Sequence, residues 1–343
     1  MSYTNGHNDK LNGHINGNEK RYEFQVDEEE TWISRATLDF PALSCSYSPV
    51  GNKLAIGESG SKIRIWDIKS DHRNPHILEH GSSIEGLCWH PDSMKTLASI
   101  SSDKRLVVWN VVDRKVSFEI LFDKELVNIH WSKDGKLILV SDKSDKLSLV
   151  NYETKSKGAS FQLPQTPELN GTTQINQFTL TKDLKKLIIA SNNGYVHFFN
   201  LENFEFITSL RISSSTCHSL DLHPSGNYLC VGTADATASL IDLQTFKIIV
   251  NYSDLYLTIR SIKFNHDGQY VAMCSRQSMI YIYNTFTGKL QGFFETLQEL
   301  NNLNWHCKKN ILVCVGDSVQ DDDLTNGVAF ILDLEKFSIN SSR

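Results

Sequence analysis

The feature that most constrains this chain is a short element that occurs seven times along its length. Each copy is an apolar stretch, often ending in an aromatic residue, followed by a bend rich in Pro, Asp or Gly. The copies are CSYSPVG at Cys45, LCWHPDS at Leu87, IHWSKDG at Ile129, FTLTKDL at Phe178, LDLHPSG at Leu220, IKFNHDG at Ile262 and LNWHCKK at Leu303. Their third residues are separated by 42, 42, 49, 42, 42 and 41 positions. A period of 40–45 residues is typical of a propeller blade.

A second landmark closes each unit about twenty residues after the bend. It is an apolar or aromatic residue followed by Asp or Asn, at Trp66-Asp67, Trp109-Asn110, Val150-Asn151, Phe199-Asn200, Ile241-Asp242, Tyr283-Asn284 and Leu332-Asp333. Between the landmarks apolar residues alternate with period two, as in KLAIGESGSKIRIW, which predicts β-strands. The sequence therefore predicts an all-β, seven-bladed WD-repeat β-propeller, each blade a four-stranded antiparallel sheet.

The first 40 residues divide into two parts. Residues 1–19 are rich in Asn, Gly and His with few apolar residues, so we expect a disordered polar tail. Residues 20–340 then form the propeller. Two strand-like runs, RYEFQV and TWISRATLDF, follow the tail, and we predict that one of them closes the ring as a strand of the last blade.

Composition narrows the class of protein. The net charge is −6, and carboxylates balance the one lysine-rich stretch. We therefore do not expect this chain alone to bind nucleic acid directly. No apolar run approaches the roughly 20 residues needed to span a bilayer, and no secretory signal is expected, so we expect a cytosolic or nuclear location. Seven scattered cysteines without a CxxC pair indicate small buried side chains, not disulfides or a zinc site.

One set of polar residues invites a catalytic interpretation. His80, Ser99, Asp103 and Trp109 have the spacing at which an imidazole bridges Asp and Ser, and Ser accepts from the indole N–H. We interpret the set as a structural network, because buried polar groups need partners and this set supplies its own. The sequence has no glycine-rich phosphate loop, nucleophile elbow or HExxH motif, so we predict no enzyme activity, no cofactor and no metal.

The repeat phase predicts a ring of seven residues at one mouth of the central channel. Counting four positions back from the third residue of each repeat gives Leu43, Glu85, Val127, Asn176, His218, Arg260 and Asn301. Any one of these residues could instead be a solvated loop end that contacts no partner. Arg260, with Tyr256 nearby and Arg276 at a neighbouring turn, is the predicted anchor for a protein partner, since Arg and Tyr are frequent at hot spots. Glu85 and His218 are further candidates.

Two insertions depart from the period. A loop over 161–174 precedes the fourth blade, and the turn VGDSVQDDDLTNG lies in the last blade. Asp321, Asp322 and Asp323 in that turn lack the glycine and distal glutamate of an EF-hand loop. We interpret them as a solvated loop or, more specifically, an acidic contact for a basic segment of a partner.

Several stretches resemble the THO complex subunit 3 family in detail. They include LCWHPDS, NIHWSKDGK, TADATASLID, IRSIKFNHDGQYVAM and LNWHCKKNILVCVGDSVQDDD, and the resemblance runs from about His80 to Leu334. It implies a nuclear, non-catalytic scaffold of the assembly that couples transcription to messenger-RNA export. The implied partners are the large helical scaffold subunit, a DEAD-box helicase and an RNA-binding adaptor, with RNA contacted mainly through them and no membrane or small-molecule substrate.

A second hypothesis is a WD-repeat adaptor of another nuclear complex, such as a histone-tail reader or a substrate receptor of a ubiquitin ligase. A reader needs an acidic or aromatic cage at the channel mouth, whereas the predicted ring is mixed in character.

Overall fold

Strands dominate the fold because the apolar residues alternate and because turn residues separate the runs. A computed structural model describes residues 25–26, 33–68, 75–163, 173–252, 255–275, 278–296, 298–318 and 326–336. Within these ranges the regular secondary structure is β-strand, apart from one helical turn at 334–336. The expected domain boundaries, at residues 19/20 and 340, lie outside the described residues and stay a prediction.

The strands follow one another at regular intervals along the chain. They are β1 Gln25–Val26, β2 Ile33–Leu38, β3 Ala42–Tyr47, β4 Lys53–Glu58, β5 Lys62–Asp67, β6 His76–Glu79, β7 Ile84–Trp89, β8 Thr96–Ser101, β9 Arg105–Asn110, β10 Lys115–Leu121, β11 Leu126–Trp131, β12 Leu137–Asp142, β13 Lys146–Asn151, β14 Ser156–Gln162, β15 Ile175–Leu180, β16 Lys186–Ser191, β17 Tyr195–Asn200, β18 Phe206–Arg211, β19 Cys217–Leu222, β20 Tyr228–Thr233, β21 Ala238–Asp242, β22 Lys247–Tyr252, β23 Ile259–Phe264, β24 Tyr270–Ser275, β25 Met279–Asn284, β26 Leu290–Glu295, β27 Glu299–Trp305, β28 Ile311–Asp317 and β29 Gly327–Asp333.

Six blades are antiparallel sheets of four consecutive strands, beginning with β3 to β6 as blade one. The first strand of each blade lies innermost and touches the innermost strands of its two neighbours, so β3, β7, β11, β15, β19, β23 and β27 form a closed ring. The third residue of each of the seven repeats ends one of these innermost strands. The predicted seven-bladed propeller is confirmed.

The N-terminal segment closes the ring. β2 pairs antiparallel with β29 along its whole length, from Ile33 opposite Leu332 to Leu38 opposite Gly327. Blade seven therefore combines three strands from the C-terminal part of the chain with one from the N-terminal part. Of the two candidate runs, TWISRATLDF supplies the closing strand, while Gln25–Val26 in the other run adds a short fifth strand outside it.

The hydrophobic core consists of seven clusters, and each one joins two neighbouring blades. Between blades one and two, for example, Ile63 and Ile65 pack with Trp89, Leu97 and Trp109. The seventh cluster joins Leu38 of the closing strand to Trp66 of blade one. Because every cluster draws on two blades, a single blade cannot bury its own faces.

The seven cysteines are free, and five of them are buried in these clusters. No helix in the described ranges has the length and apolar content needed to cross a membrane.

Candidate functional site

The predicted ring residues share one local geometry. In every innermost strand, pairing with the second strand skips one residue near the start, which is the register shift of a β-bulge. The skipped residues are Leu43, Glu85, Val127, Asn176, His218, Arg260 and Asn301, the seven positions found by counting back from the landmarks. A bulge leaves its extra residue out of the ladder and redirects the side chain. We call the face on which these residues lie the start face, since the innermost strands begin there.

One exposed part of the start face lies on blades five and six. Tyr256 is 84% exposed, and Arg260 is also exposed. Burial and the nearby Arg260 guanidinium lower the pKa of His218, which keeps this half-buried imidazole neutral at physiological pH. This corner of the ring therefore presents an aromatic ring and a cation.

The opposite side of the ring carries two carboxyl groups and one lysine. Glu85 of blade two is half-buried, and its burial raises the pKa of the carboxyl group, although Lys143 and a hydrogen bond from Ser83 oppose this. Glu125 stands beside it and pairs with Lys143. Blade two faces the gap between blades five and six in a ring of seven, so the acidic and basic groups lie across the channel mouth from one another.

Two ring residues have a structural role. Asn176 donates from Nδ2 to the carbonyl of Cys217 at 2.8 Å, and Asn301 donates to the carbonyl of Ala42 at 3.1 Å. Each bond joins a ring residue to the innermost strand of the next blade. These asparagines therefore fix the blades to one another, and the residues that remain for a partner are Glu85, His218, Arg260 and the apolar Leu43 and Val127.

Other predicted partner residues lie outside the described residues. They are Arg276 and the acidic triplet Asp321, Asp322 and Asp323, together with most of the insertion before blade four. Their roles stay predictions.

The polar set of blade two is assembled only at one end. The Trp109 indole donates to Ser99 Oγ at 2.8 Å. His80 Nδ1 lies 3.9 Å from Asp103 Oδ2 and accepts the N–H of Gly81, while Asp103 accepts from Ser101. Within the described chain, His80 Nε2 has no hydrogen-bond partner.

This geometry does not form the Ser–His–Asp hydrogen-bond chain on which nucleophilic catalysis depends. Ser99 is also fully buried, so its hydroxyl is closed to a substrate. The described residues contain no group of three or more His, Cys, Asp or Glu side chains placed to hold a metal ion.

The channel wall contains a polar group that the sequence patterns did not reveal. Lys263 Nζ lies 2.7 Å from Asp221 Oδ1, and Asp221 Oδ2 accepts the backbone N–H of Phe264 at 2.9 Å. Both residues precede an aromatic or apolar landmark by one position, on adjacent innermost strands. Burial and the Lys263 ammonium lower the pKa of His130, at the same repeat position, to about 4. The other residues at this repeat position are uncharged, and the alternation of apolar residues alone does not say which side of a strand faces the channel.

Family models match parts of the chain. The model described as WD domain, G-beta repeat matches residues 204–242 and 253–284, and the model described as KNTC1, N-terminal matches residues 91–219. Among solved structures, the β-propeller domain of Myceliophteria thermophila Cps50 (Swd1) superposes with a TM-score of 0.74 at 19% identity, over 85% of this chain and 96% of that one. This likeness concerns the fold.

Similarity to curated proteins is more informative about family. The chain is 25% identical over 278 residues to THO complex subunit 3 of Arabidopsis thaliana, covering 80% of this chain and 86% of that protein. WD repeat-containing protein AAC3 of Dictyostelium discoideum is 23% identical over 65% of this chain, which spans only 51% of AAC3. The Retinoblastoma-binding protein 5 homolog of Drosophila melanogaster is 20% identical, over 87% of this chain and 64% of its own length. The resemblance to the THO complex subunit 3 family is confirmed.

Proposed function

We propose that this protein is the non-catalytic propeller subunit of a nuclear THO-type complex, which couples transcription elongation to messenger-RNA processing and export. The observation that carries the proposal is the similarity to THO complex subunit 3, because it extends over most of both chains. The aligned stretch of 278 residues takes in the segments between the bends as well as the bends themselves.

The fold supports a scaffold role. The polar residues with catalytic potential in blade two are buried or engaged with their neighbours. The ring of blades instead offers a rigid body whose loops and strand ends are held in fixed positions, which suits the display of binding surfaces.

The start face is the proposed docking surface for the other subunits, chiefly the large helical scaffold subunit. Tyr256 and Arg260 are exposed residues of the types that dominate interface hot spots. Glu85 and Glu125 lie across the channel mouth, and Lys143 pairs with Glu125, so this group carries one more carboxyl than ammonium. A partner segment with a carboxylate at one end and a basic group at the other would match this arrangement in one orientation.

RNA contact would be made mainly by partners. The chain has a net charge of −6, and the charged groups of the start face are of both signs. A surface that bound RNA through phosphates would present several cations together. The DEAD-box helicase and the RNA-binding adaptor of such a complex would supply that contact.

Affinity purification from nuclear extract tests the proposal. The tagged full-length protein is expected to recover the large helical subunit and the other THO subunits in stoichiometric amounts, and RNase treatment should not release them. Recovery of cullin adaptors or histones in place of THO subunits would assign the chain to a different WD-repeat adaptor and would refute the proposal.

A further inference from the structure

Opposite the start face, the innermost strands end at a second mouth of the channel, which we call the end face. A cavity of about 280 Å3 opens there between blades two and five. His130, Thr179 and Asp221 line its inner wall, and Lys133 and Lys182 stand at its rim. The two lysines occupy the same position in the bends of blades three and four.

The two rim lysines interact with each other. Burial and the adjacent Lys133 ammonium lower the pKa of Lys182. Lys182 Nζ also donates to the carbonyl of Pro224 in blade five, which draws it across the mouth of the cavity. Both ammonium groups stand at the rim of the same cavity, where like charges repel, and an anion bound between them would reduce that repulsion.

Nearby carboxylates are already engaged. Asp134 Oδ1 accepts from Ser132 Oγ at 2.6 Å and from the N–H of Lys136, and Asp183 Oδ1 accepts from Thr181 Oγ1 at 2.6 Å and from the N–H of Lys185. These bonds hold both carboxylates within their own turns. No ion pair of Lys133 or Lys182 with a carboxylate occurs in the described part of the chain.

The inner wall does not cancel the positive charge of the rim. Asp221 is neutralised by Lys263, and His130 is uncharged at neutral pH. The remaining wall is largely apolar, with contributions from Trp131, Leu180 and Leu222. The cavity thus combines two rim lysines, neither of which forms an ion pair in the described part of the chain, with walls that are largely apolar.

We propose that the end-face mouth binds an acidic side chain from an extended segment of a protein partner, with an apolar neighbour of that side chain packed against the cavity wall. The volume is at the low end for ligand sites, which suits one or two side chains and not a folded domain. The combination of cations and apolar wall favours a peptide over a free inorganic anion, which gains nothing from the wall. This site lies on the opposite face from the proposed subunit contact.

The test uses the purified full-length protein and two fluorescein-labelled hexapeptides, one of alternating leucine and glutamate, the other with glutamine at the glutamate positions. Fluorescence anisotropy is expected to show that the glutamate peptide binds about ten-fold more tightly, and that added salt weakens it. Lys133→Ala and Lys182→Ala should each reduce its affinity several-fold. Lys136→Ala and Lys185→Ala are matched controls, since both lysines lie in the same turns but do not line the cavity, and they should bind like the wild type.

A second measurement follows the protonation of Lys182 itself. In NMR spectra of reductively 13C-methylated protein, the pKa of Lys182 should rise when the glutamate peptide is added, because a bound carboxylate favours the charged ammonium. Equal affinity for the two peptides, equal losses in the control variants, or full displacement of the peptide by equimolar inorganic phosphate would each overturn the proposal. Purified protein and peptides suffice, so the outcome is independent of which complex the chain joins.

Discussion

The imidazole of His223 in blade five lies directly against Gly268 in blade six. Its Nε2 donates to the Gly268 carbonyl at 3.1 Å, while Nδ1 accepts the N–H of Ser225 at 3.0 Å. His306 makes the same contact with Gly51 across the junction of blades seven and one, at 3.0 Å. A bend in one blade is thus hydrogen-bonded to the bend of the next, and the glycine leaves room for the ring.

Substitution of this glycine should be costly. Gly268 has φ of +78°, and a Cβ atom there would lie 1.9 Å from His223 Nε2. Gly268→Ala should therefore lose about 1–2 kcal/mol from backbone strain alone, with a further loss from the displaced imidazole. Chemical denaturation measures the change. Gly158→Ala is the control, since Gly158 is exposed on an outer strand with an ordinary φ, and a similar loss in both variants would contradict this account.

Ring closure depends on the N-terminal strand. Deletion of residues 1–40 removes β2 and also Asp39, whose Oδ2 lies 2.6 Å from the Nη2 atom of the fully buried Arg64. Loss of a paired strand, its buried apolar side chains and this ion pair should cost about 5 kcal/mol or more. Deletion of residues 1–18 should leave the melting temperature unchanged. Equal effects of the two deletions in a thermal melt would refute closure by this segment.

The buried indole of blade two depends on one hydroxyl. Ser99→Ala leaves the Trp109 N–H without its acceptor, at a cost of about 1–3 kcal/mol. Ser160→Ala, on an exposed outer strand, should change stability by less than about 0.5 kcal/mol. Denaturant titration measures the free energy of unfolding of both variants. A loss in the Ser99 variant no larger than in the Ser160 variant would mean that the hydrogen bond does not stabilise the blade.

Stability should fall in mild acid. Burial lowers the pKa of His197 to about 4, whereas an unfolded histidine titrates near 6.5, so protons bind preferentially to the unfolded chain. The contribution of His197 is complete above pH 6.5 and declines toward pH 4, by about 2 kcal/mol at pH 5. In His197→Gln, unfolding free energies measured between pH 7.5 and 5 should fall less than in the wild type. Parallel pH profiles would show that His197 is not responsible.

The start face should tolerate mutation without loss of fold. Arg260→Glu and Tyr256→Ala are expected to weaken capture of the complex by about 30-fold or more, the loss that corresponds to a hot spot of about 2 kcal/mol. Circular dichroism should not change, since both side chains are exposed. Lys247→Glu makes the same charge change on an outer strand and should co-purify normally. Normal capture of the complex by both the Arg260 and the Tyr256 variant would exclude this part of the start face as the contact.

Much of the fold could be predicted from local pattern. The period of the bends gave seven blades in order, and the strand-like run ending at Phe40 was one of two candidates for the closing strand. The choice between the two runs depended on pairing with β29, which is almost 300 residues away in the sequence. Such long-range pairing produces no pattern in the local sequence. The link expected between His80 and Ser99 did not form: Ser99 Oγ donates to the carbonyl of Val107 and accepts from the Trp109 indole, while His80 Nδ1 accepts the N–H of Gly81.

The sequence by itself determined the number of blades, the order of the strands and the seven ring positions, since each of these repeats with the hydrophobic pattern of one unit. Only the tertiary structure decided which residues of different units meet. Lys133 and Lys182, Lys263 and Asp221, and His223 and Gly268 are each more than 40 positions apart, and each pair is brought together by the packing of two blades. A periodic pattern specifies how one blade buries its faces, whereas contacts between blades depend on the angle and offset at which those faces pack.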